Sequence, residues 1–312
     1  MRPDPRQLLL RLCFATVTAT VTVTALLGLA RPAAAARVKV VTTIQTLRVL
    51  VDEVGGPHVL AVALVGEHVD PHRLDPRPSY AVTLSTADLL IHVGLELEKS
   101  WLPPLVAQAR NPRIRTGAAG NLDASTAGIA IKTDGPATRA SGDIHPLGNP
   151  HYWLTPDHAL RIAHAIAARL AAIDPAHAAD YQRRASDLTA RVTARRAAWT
   201  ERARPLAGAG VVSYHRSWSY LTEWLGLVEV GAIEPKPGVP PDPRHLAELV
   251  RTAKARGARL VLVEPYFPRN TAQRIAELGG MRLVVLPADA SATTQSYVEL
   301  VDQQLGLLAG AR

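Results

Sequence analysis

A chain of 312 residues that is 47% hydrophobic and 20% charged has a globular composition and the length for two domains, which excludes a disordered or fibrous protein. Its net charge of +8 raises nucleic acid as a partner, but no dense Lys/Arg run and no nucleic-acid motif accompanies it. A single cysteine excludes a disulfide scaffold.

The first 36 residues read as a leader. Arg2, Arg6 and Arg11 form a basic start, Leu12 to Ala30 is an apolar stretch, and RPAAAA supplies small residues for cleavage near Ala35 or Ala36. The Thr content and the Ala-rich exit favour a secretory signal over an anchor helix, so the mature protein is expected to be periplasmic or exported, and soluble. Cys13 lies inside the apolar stretch, away from any lipid-attachment position, and leaves with it. A metal site in the mature chain must therefore use His, Asp or Glu.

VKVVTTI (38–44) reads as a strand and QTLRVLVDEVGG (45–56) as a helix closed by glycines. HVLAVALVG (58–66) is a second strand. The loop EHVDPHRLDPRPS that follows carries prolines expected to keep it irregular. ADLLIHVG (87–94) is a third, buried strand, and residues 110–150 are loop with one or two short strands. Thr155-Pro156 is a helix-start signal, and Leu160, Ile162, Ile166, Leu170 and Ile173 follow at helical spacing. Asp174-Pro175 opens a second helix with the stripe Tyr181, Ala185, Leu188, Val192 and Trp199, ended by Pro205. It should run about 29 residues, roughly 43 Å at 1.5 Å per residue. Strands at 209–214, 228–233, 259–264 and 282–287 then alternate with helices to the C-terminus. The expected fold class is α/β: two lobes, each a parallel sheet flanked by helices, joined by a long backbone helix. The expected division is 37–153, 154–206 and 207–312, with no internal sequence repeat.

Ligands of open parallel sheets gather at the carboxyl ends of strands. There stand His72 in VDPHRLDP, His215 in VVSYHRSW, Glu264 in LVEPYF and Asp289 in LPADAS, with His151 in GNPHYWLTP before the long helices. Imidazoles with one or two carboxylates suit tetrahedral zinc. His72 and His151 each follow a proline that pre-sets the backbone carrying the ring. Asp70 or Asp75 could accept the free ring N–H of a ligand. The other histidines read blandly: His158, His164, His177 and His245 on helices, His92 in the core, His58 at the start of a strand and His68 on the loop surface.

VDPHRLDPRPS, GNPHYWLTPDHA, VVSYHRSWSYLTEWLGL, IEPKPGVPPDPRHLAEL and LVEPYFP, in this order behind a leader, resemble the zinc/manganese-binding proteins of bacterial ABC importers, the cluster A-I group with the TroA-like fold. The resemblance covers about residues 38–308. It implies two lobes joined by a backbone helix and a metal between them held by His72, His151 and His215. It implies no enzymatic activity and an ABC permease as partner; a monomer is expected. In that family a histidine at the third position accompanies zinc, and glutamate accompanies manganese, so His215 favours Zn²⁺ over Mn²⁺. The fourth ligand departs from the family: the usual Asp directly after the last core strand is replaced by Leu286-Pro287-Ala288, with Asp289 slightly late, so Glu264, Asp289 or water could complete the shell, Glu264 being preferred. There is no histidine-rich loop before His151, only His145, which reads as a weak auxiliary ligand or as a hydrogen-bonding residue of its turn. A secreted zinc hydrolase is the alternative function, although HExxH and GxSxG are absent; a receptor for an organic solute ranks lower, with aromatics at 4%.

Overall fold

The computed structural model describes residues 36–133, 145–236 and 238–310; the expected leader with Cys13 falls outside them. The first half of the chain builds β1 (Val38–Thr42), α1 (Gln45–Gly55), β2 (Val59–Ala63), α2 (Pro78–Ser85), β3 (Leu89–His92), α3 (Leu102–Ala109) and β4 (Asn121–Asp123). Two long helices follow, α4 (Pro156–Ile173) and α5 (Ala178–Ala203). The second half builds β5 (Gly210–Ser213), α6 (Ser219–Leu225), β6 (Val228–Ala232), α7 (Pro243–Ala255), β7 (Ala258–Val263), α8 (Arg269–Gly279), β8 (Arg282–Val285) and α9 (Tyr297–Gly310).

The strands form two separate four-stranded sheets of order β2-β1-β3-β4 and β6-β5-β7-β8, parallel throughout. The two halves thus share one strand order, although their sequences do not reveal a repeat. In both, the chain turns back beside the first strand of the half, and loops leaving the strand ends on either side of it open a crevice there.

Side chains alternate across each sheet, as a period of two requires. Val40, Leu89 and Ile91 point to one side of the first sheet, and Val211, Leu260 and Leu262 to the corresponding side of the second. These residues share one continuous apolar cluster with Leu160, Ile166 and Leu170 of α4 and with Tyr181, Ala185, Leu188, Val192 and Trp199 of α5. The opposite faces are covered locally, Val41 and Leu90 by Leu84, Trp101 and Leu105, Val212 and Val261 by Leu249 and Ile275. The stripe expected on the backbone helix is the seam joining the two sheets. Edge strand β2, by contrast, leaves Leu60 and Val62 exposed.

Some local expectations need correction. Helix α2 begins inside the loop whose prolines were expected to keep it irregular, because Pro78 occupies a first-turn position where its missing N–H costs nothing. Pro103 and Pro104 open α3 in the same way. Helix α5 has 26 residues rather than about 29; Pro175 and Pro205 convert its flanks into 3₁₀ turns, Pro175–His177 and Arg204–Leu206. Thr155 has the extended backbone of an N-cap, yet its hydroxyl makes no cap hydrogen bond.

A helix cap supplied across the chain helps fasten the two halves, within the compact unit Val38–Arg312. Helix α1 starts after Ile44, which cannot cap it, and has no acidic residue in its first turn. Asp289, beyond β8 in the other half, supplies the cap: its carboxylate accepts from Gln45 N at 2.9 Å, Thr46 N at 2.7 Å and Thr46 Oγ1 at 2.6 Å. Ala290 N donates to Thr46 Oγ1 at 3.1 Å, and the Arg48 guanidinium donates to the Ser291 and Thr294 carbonyls, each at 3.2 Å. Replacing Asp289 by Ala frees these amide donors and should cost about 2 kcal/mol of unfolding free energy. Chemical denaturation of the metal-free protein measures it; a midpoint unchanged from wild type would show that water caps α1 equally well.

Candidate metal site

His72 lies in the loop after β2, His215 two residues beyond β5, and His151 in the turn that leads through the 3₁₀ segment Tyr152–Leu154 into α4. The structure brings these three together: one ring nitrogen of each lies within 4.8 Å of the other two. Ring centroids are 5.2 Å apart for His72–His151, 5.1 Å for His72–His215 and 5.4 Å for His151–His215. His151 and His215 are buried and His72 is partly buried.

The Nδ1 atoms explain which nitrogens converge. Asp70 Oδ1 accepts from both His72 N, at 3.0 Å, and His72 Nδ1, at 2.7 Å. Asn149 Oδ1 does the same for His151, at 3.0 Å from N and 2.9 Å from Nδ1. The motif Asx-Pro-His therefore occurs twice as one device: proline fixes the bend, and a single oxygen holds both backbone and ring. The Asn149 amide orientation is set by Nδ2 donating to the Arg216 carbonyl at 2.8 Å, which leaves Oδ1 as acceptor. His215 Nδ1 is 2.8 Å from Glu234 Oε2. Each partner accepts, so each Nδ1 carries the proton and each Nε2 keeps a free lone pair. Nε2 of His72 and of His151 is buried without a hydrogen-bond partner, which is costly unless something else binds there.

The loops are pinned in turn. Trp101 Nε1 donates to the Pro71 carbonyl at 2.8 Å and Ser100 Oγ to the His72 carbonyl at 3.0 Å. Tyr152 and Trp153 are buried beside His151; the Tyr152 hydroxyl donates to the Val93 carbonyl, and Trp153 Nε1 donates across to the Ala288 carbonyl at 2.7 Å. The Tyr220 hydroxyl donates to the Asn149 carbonyl at 2.8 Å, tying the turn to the second half. Phe267 closes one side against His215, with centroids 5.8 Å apart. The cavity at His72 and His215 is about 60 Å³. It lies on the side of those two rings lined by Asp70, Arg73, Glu234 and Phe267, and is too small for an organic ligand, which needs roughly 300 Å³ or more.

Burial, and then the neighbouring rings His72, His215 and His145, hold His151 well below the ordinary histidine value, so it stays neutral. His145 is driven down to about 3, first by burial and then by His72. Burial works to raise Asp70, but its hydrogen bonds and charge interaction with His72 prevail and keep it below the usual range, ionised.

The remaining candidates differ sharply. Asp289 has both oxygens engaged at the start of α1, and burial raises its carboxyl against those donors. Glu264 follows β7, is fully buried, and neither oxygen has a hydrogen-bond partner; burial pushes it up to about 8, the Ser217 hydroxyl beside it opposing the rise. Neither carboxylate belongs to the group converging within 4.8 Å among the described residues. Asp75 is exposed in its loop. His145 lies beside His72, ring centroids 5.2 Å apart. The sequence reading missed Asn149 and Glu234 as supports; Asn149 was findable, since Asn149-Pro150-His151 repeats the pattern of Asp70-Pro71-His72. Glu234 lies 19 residues from His215, after the next strand, and only the pairing of β5 with β6 brings it near.

Comparison with known proteins places the chain in a family. The family described as zinc-uptake complex component A, periplasmic, matches residues 40–311. The high-affinity zinc uptake system protein ZnuA of Yersinia pestis is 25% identical over 294 residues, covering 88% of this chain and 91% of that protein. The iron-binding protein YfeA of Yersinia pestis is 24% identical over 285 residues, covering 88% and 86%. A crystal structure of ZnuA superposes with a TM-score of 0.73 at 25% identity, covering 88% of this chain and 99% of that one. The chain belongs to the family of the periplasmic zinc-uptake component A, and is a divalent-metal-binding receptor of an ABC uptake system rather than an enzyme.

Proposed function

We propose that this receptor captures Zn²⁺ outside the cytoplasm, between its two sheets, through Nε2 of His72, His151 and His215, and hands it to an ABC permease. The observation that carries the reading is the convergence of three imidazoles whose Nδ1 protons are already committed to acceptors. Such a set is borderline-soft and nitrogen-rich, which suits zinc better than oxygen-preferring manganese. The named relatives divide between zinc and iron, so the choice of zinc rests on the donor chemistry. Of the two carboxylates weighed from the sequence, Glu264 is the one with uncommitted oxygens; Asp289 serves the fastening between the halves. The segment 1–36 acts in this reading as the export signal, and among the described residues no helix is long and apolar enough to cross a membrane.

Zinc should stabilise the protein by about 2.7 kcal/mol at a free concentration 100 times the dissociation constant, seen as a rise in Tm. His72→Ala, His151→Ala and His215→Ala should each weaken zinc binding by about 100-fold or more in a chelator competition while leaving the circular dichroism of the metal-free protein unchanged; wild-type affinity in all three would end the reading. Asn149→Ala removes the acceptor behind His151, together with the tie to the Arg216 carbonyl, and should cost about 10–100-fold.

The pH dependence of the metal-free protein follows from linkage. Above 6.5, His145 and His151 are neutral whether folded or unfolded. Below 6.5 the unfolded chain takes up protons that the buried rings refuse, so stability should fall as pH drops from 6.5 towards about 3. Glu264 acts oppositely: folded, it keeps its proton up to about 8, against 4.5 when unfolded, so its contribution declines as pH rises through that window. Denaturant midpoints against pH should show both limbs, and Glu264→Gln should remove the alkaline one only.

A further inference from the structure

We infer that Nε2 of His145 is the fourth ligand of the ion, so that the site is a set of four imidazoles. The inference rests on the metal-capture reading above and deepens it.

His145 is built like the other three. Its ring lies 5.2 Å from that of His72, the separation His72 keeps from His151. Its Nδ1 is 2.9 Å from the Leu95 carbonyl, which can only accept, so the ring proton is committed and Nε2 is a lone pair. That Nε2 is buried and has no hydrogen-bond partner, as are Nε2 of His72 and of His151. A histidine that merely stabilised its own turn would need only one of its nitrogens satisfied and could leave the other in solvent.

The acceptor is held at a structural cost. Gly94, Leu95 and Glu96 all have left-handed backbone, with φ of 79°, 50° and 65°, a conformation that side-chain-bearing residues avoid. Glu98 keeps the turn in place from within the core: it accepts from Val93 N at 2.7 Å, Gly94 N at 3.1 Å and Thr43 Oγ1 at 2.6 Å. On the other side Gly148 N donates to the His145 carbonyl at 2.9 Å, and Gly148, at φ 116°, has no room for a Cβ against Ile131. The turn from His145 to Gly148 runs straight into the Asn149-Pro150-His151 clamp, so His145 and His151 are set by neighbouring turns.

Distance and charge fit four nitrogens. Zn–N bonds of about 2.0–2.1 Å place tetrahedral nitrogens about 3.3 Å apart, so the three converging within 4.8 Å draw together around the ion. His145 is not one of those three, and its ring stands beside that of His72 alone, so it would reach the ion by a small movement of its turn. Asp70 and Glu234, behind His72 and His215, supply two negative charges against the two positive charges of the ion. Four neutral imidazoles add no charge of their own, whereas an ionised Glu264 would add a negative one.

Zinc-edge X-ray absorption and zinc titration against a competing chelator test this on the full mature protein. The wild type should fit four imidazoles. His145→Ala and His145→Asn should each fit three imidazoles plus one oxygen and bind zinc about 100-fold or more weakly, beyond the range for a residue that only supports ligands. The Asn variant keeps a donor for the Leu95 carbonyl, so wild-type affinity in His145→Asn with loss in His145→Ala would assign His145 a structural role and overturn the inference. Three imidazoles plus a carboxylate oxygen in the wild type, lost in Glu264→Gln, would overturn it in favour of Glu264. His72→Ala separates the two readings: loss at His72 with none at His145 removes only the fourth ligand, whereas wild-type binding in His72→Ala removes metal capture at this site altogether.

Discussion

An imidazole has one proton to place when neutral, and the placement decides whether it can bind a cation. At His72, His145, His151 and His215 the proton is drawn to Nδ1 by Asp70, the Leu95 carbonyl, Asn149 and Glu234. Two of these acceptors are ionisable and two neutral, but all impose the same tautomer and ring direction. Everything else at the site serves to hold those four acceptors still. Trp101 and Ser100 grip the first loop, and Tyr220 and Arg216 the second. Nε2 of His72, His145 and His151 is thereby left buried without a partner, as are both oxygens of Glu264.

The fold makes such fixed geometry possible. One apolar cluster runs from the first sheet through α4 and α5 to the second, so the sheets cannot separate without exposing core. Asp289 then caps α1 across the halves. The histidine loops of both halves are consequently carried on one continuous core. Beyond that core, Arg73 of the His72 loop donates to the Gly238 carbonyl, after β6, at 3.3 Å.

Asp289 shows how a residue at the expected place can be given other work. It lies at the carboxyl end of a core strand, where a metal-binding carboxylate is expected, yet an uncapped helix start from the opposite half takes both its oxygens. Glu264 presents the converse: buried, uncommitted and neutral over most of the working range. A carboxylate in a cleft is therefore a weaker guide to ligation than a histidine whose far nitrogen is satisfied and whose near nitrogen is not.

The sequence by itself determined the α/β alternation, the long amphipathic seam of the backbone helix and the three loop histidines, because each is written in local spacing: periods of two and 3.6, Pro-His dipeptides, and positions at strand ends. The Asx-Pro-His clamp is also local, its donor, bend and acceptor lying within three residues; the sequence reading held it as a possibility at Asp70 and overlooked it at Asn149. Only the tertiary structure decided the rest. Glu234 reaches His215 through strand pairing, Asp289 reaches α1 across the molecule, and Leu95 reaches His145 over 50 residues. The use of a carbonyl, a carboxylate or a helix terminus as partner leaves no local mark in sequence, because hydrogen bonding constrains where an atom lies and not which residues precede it.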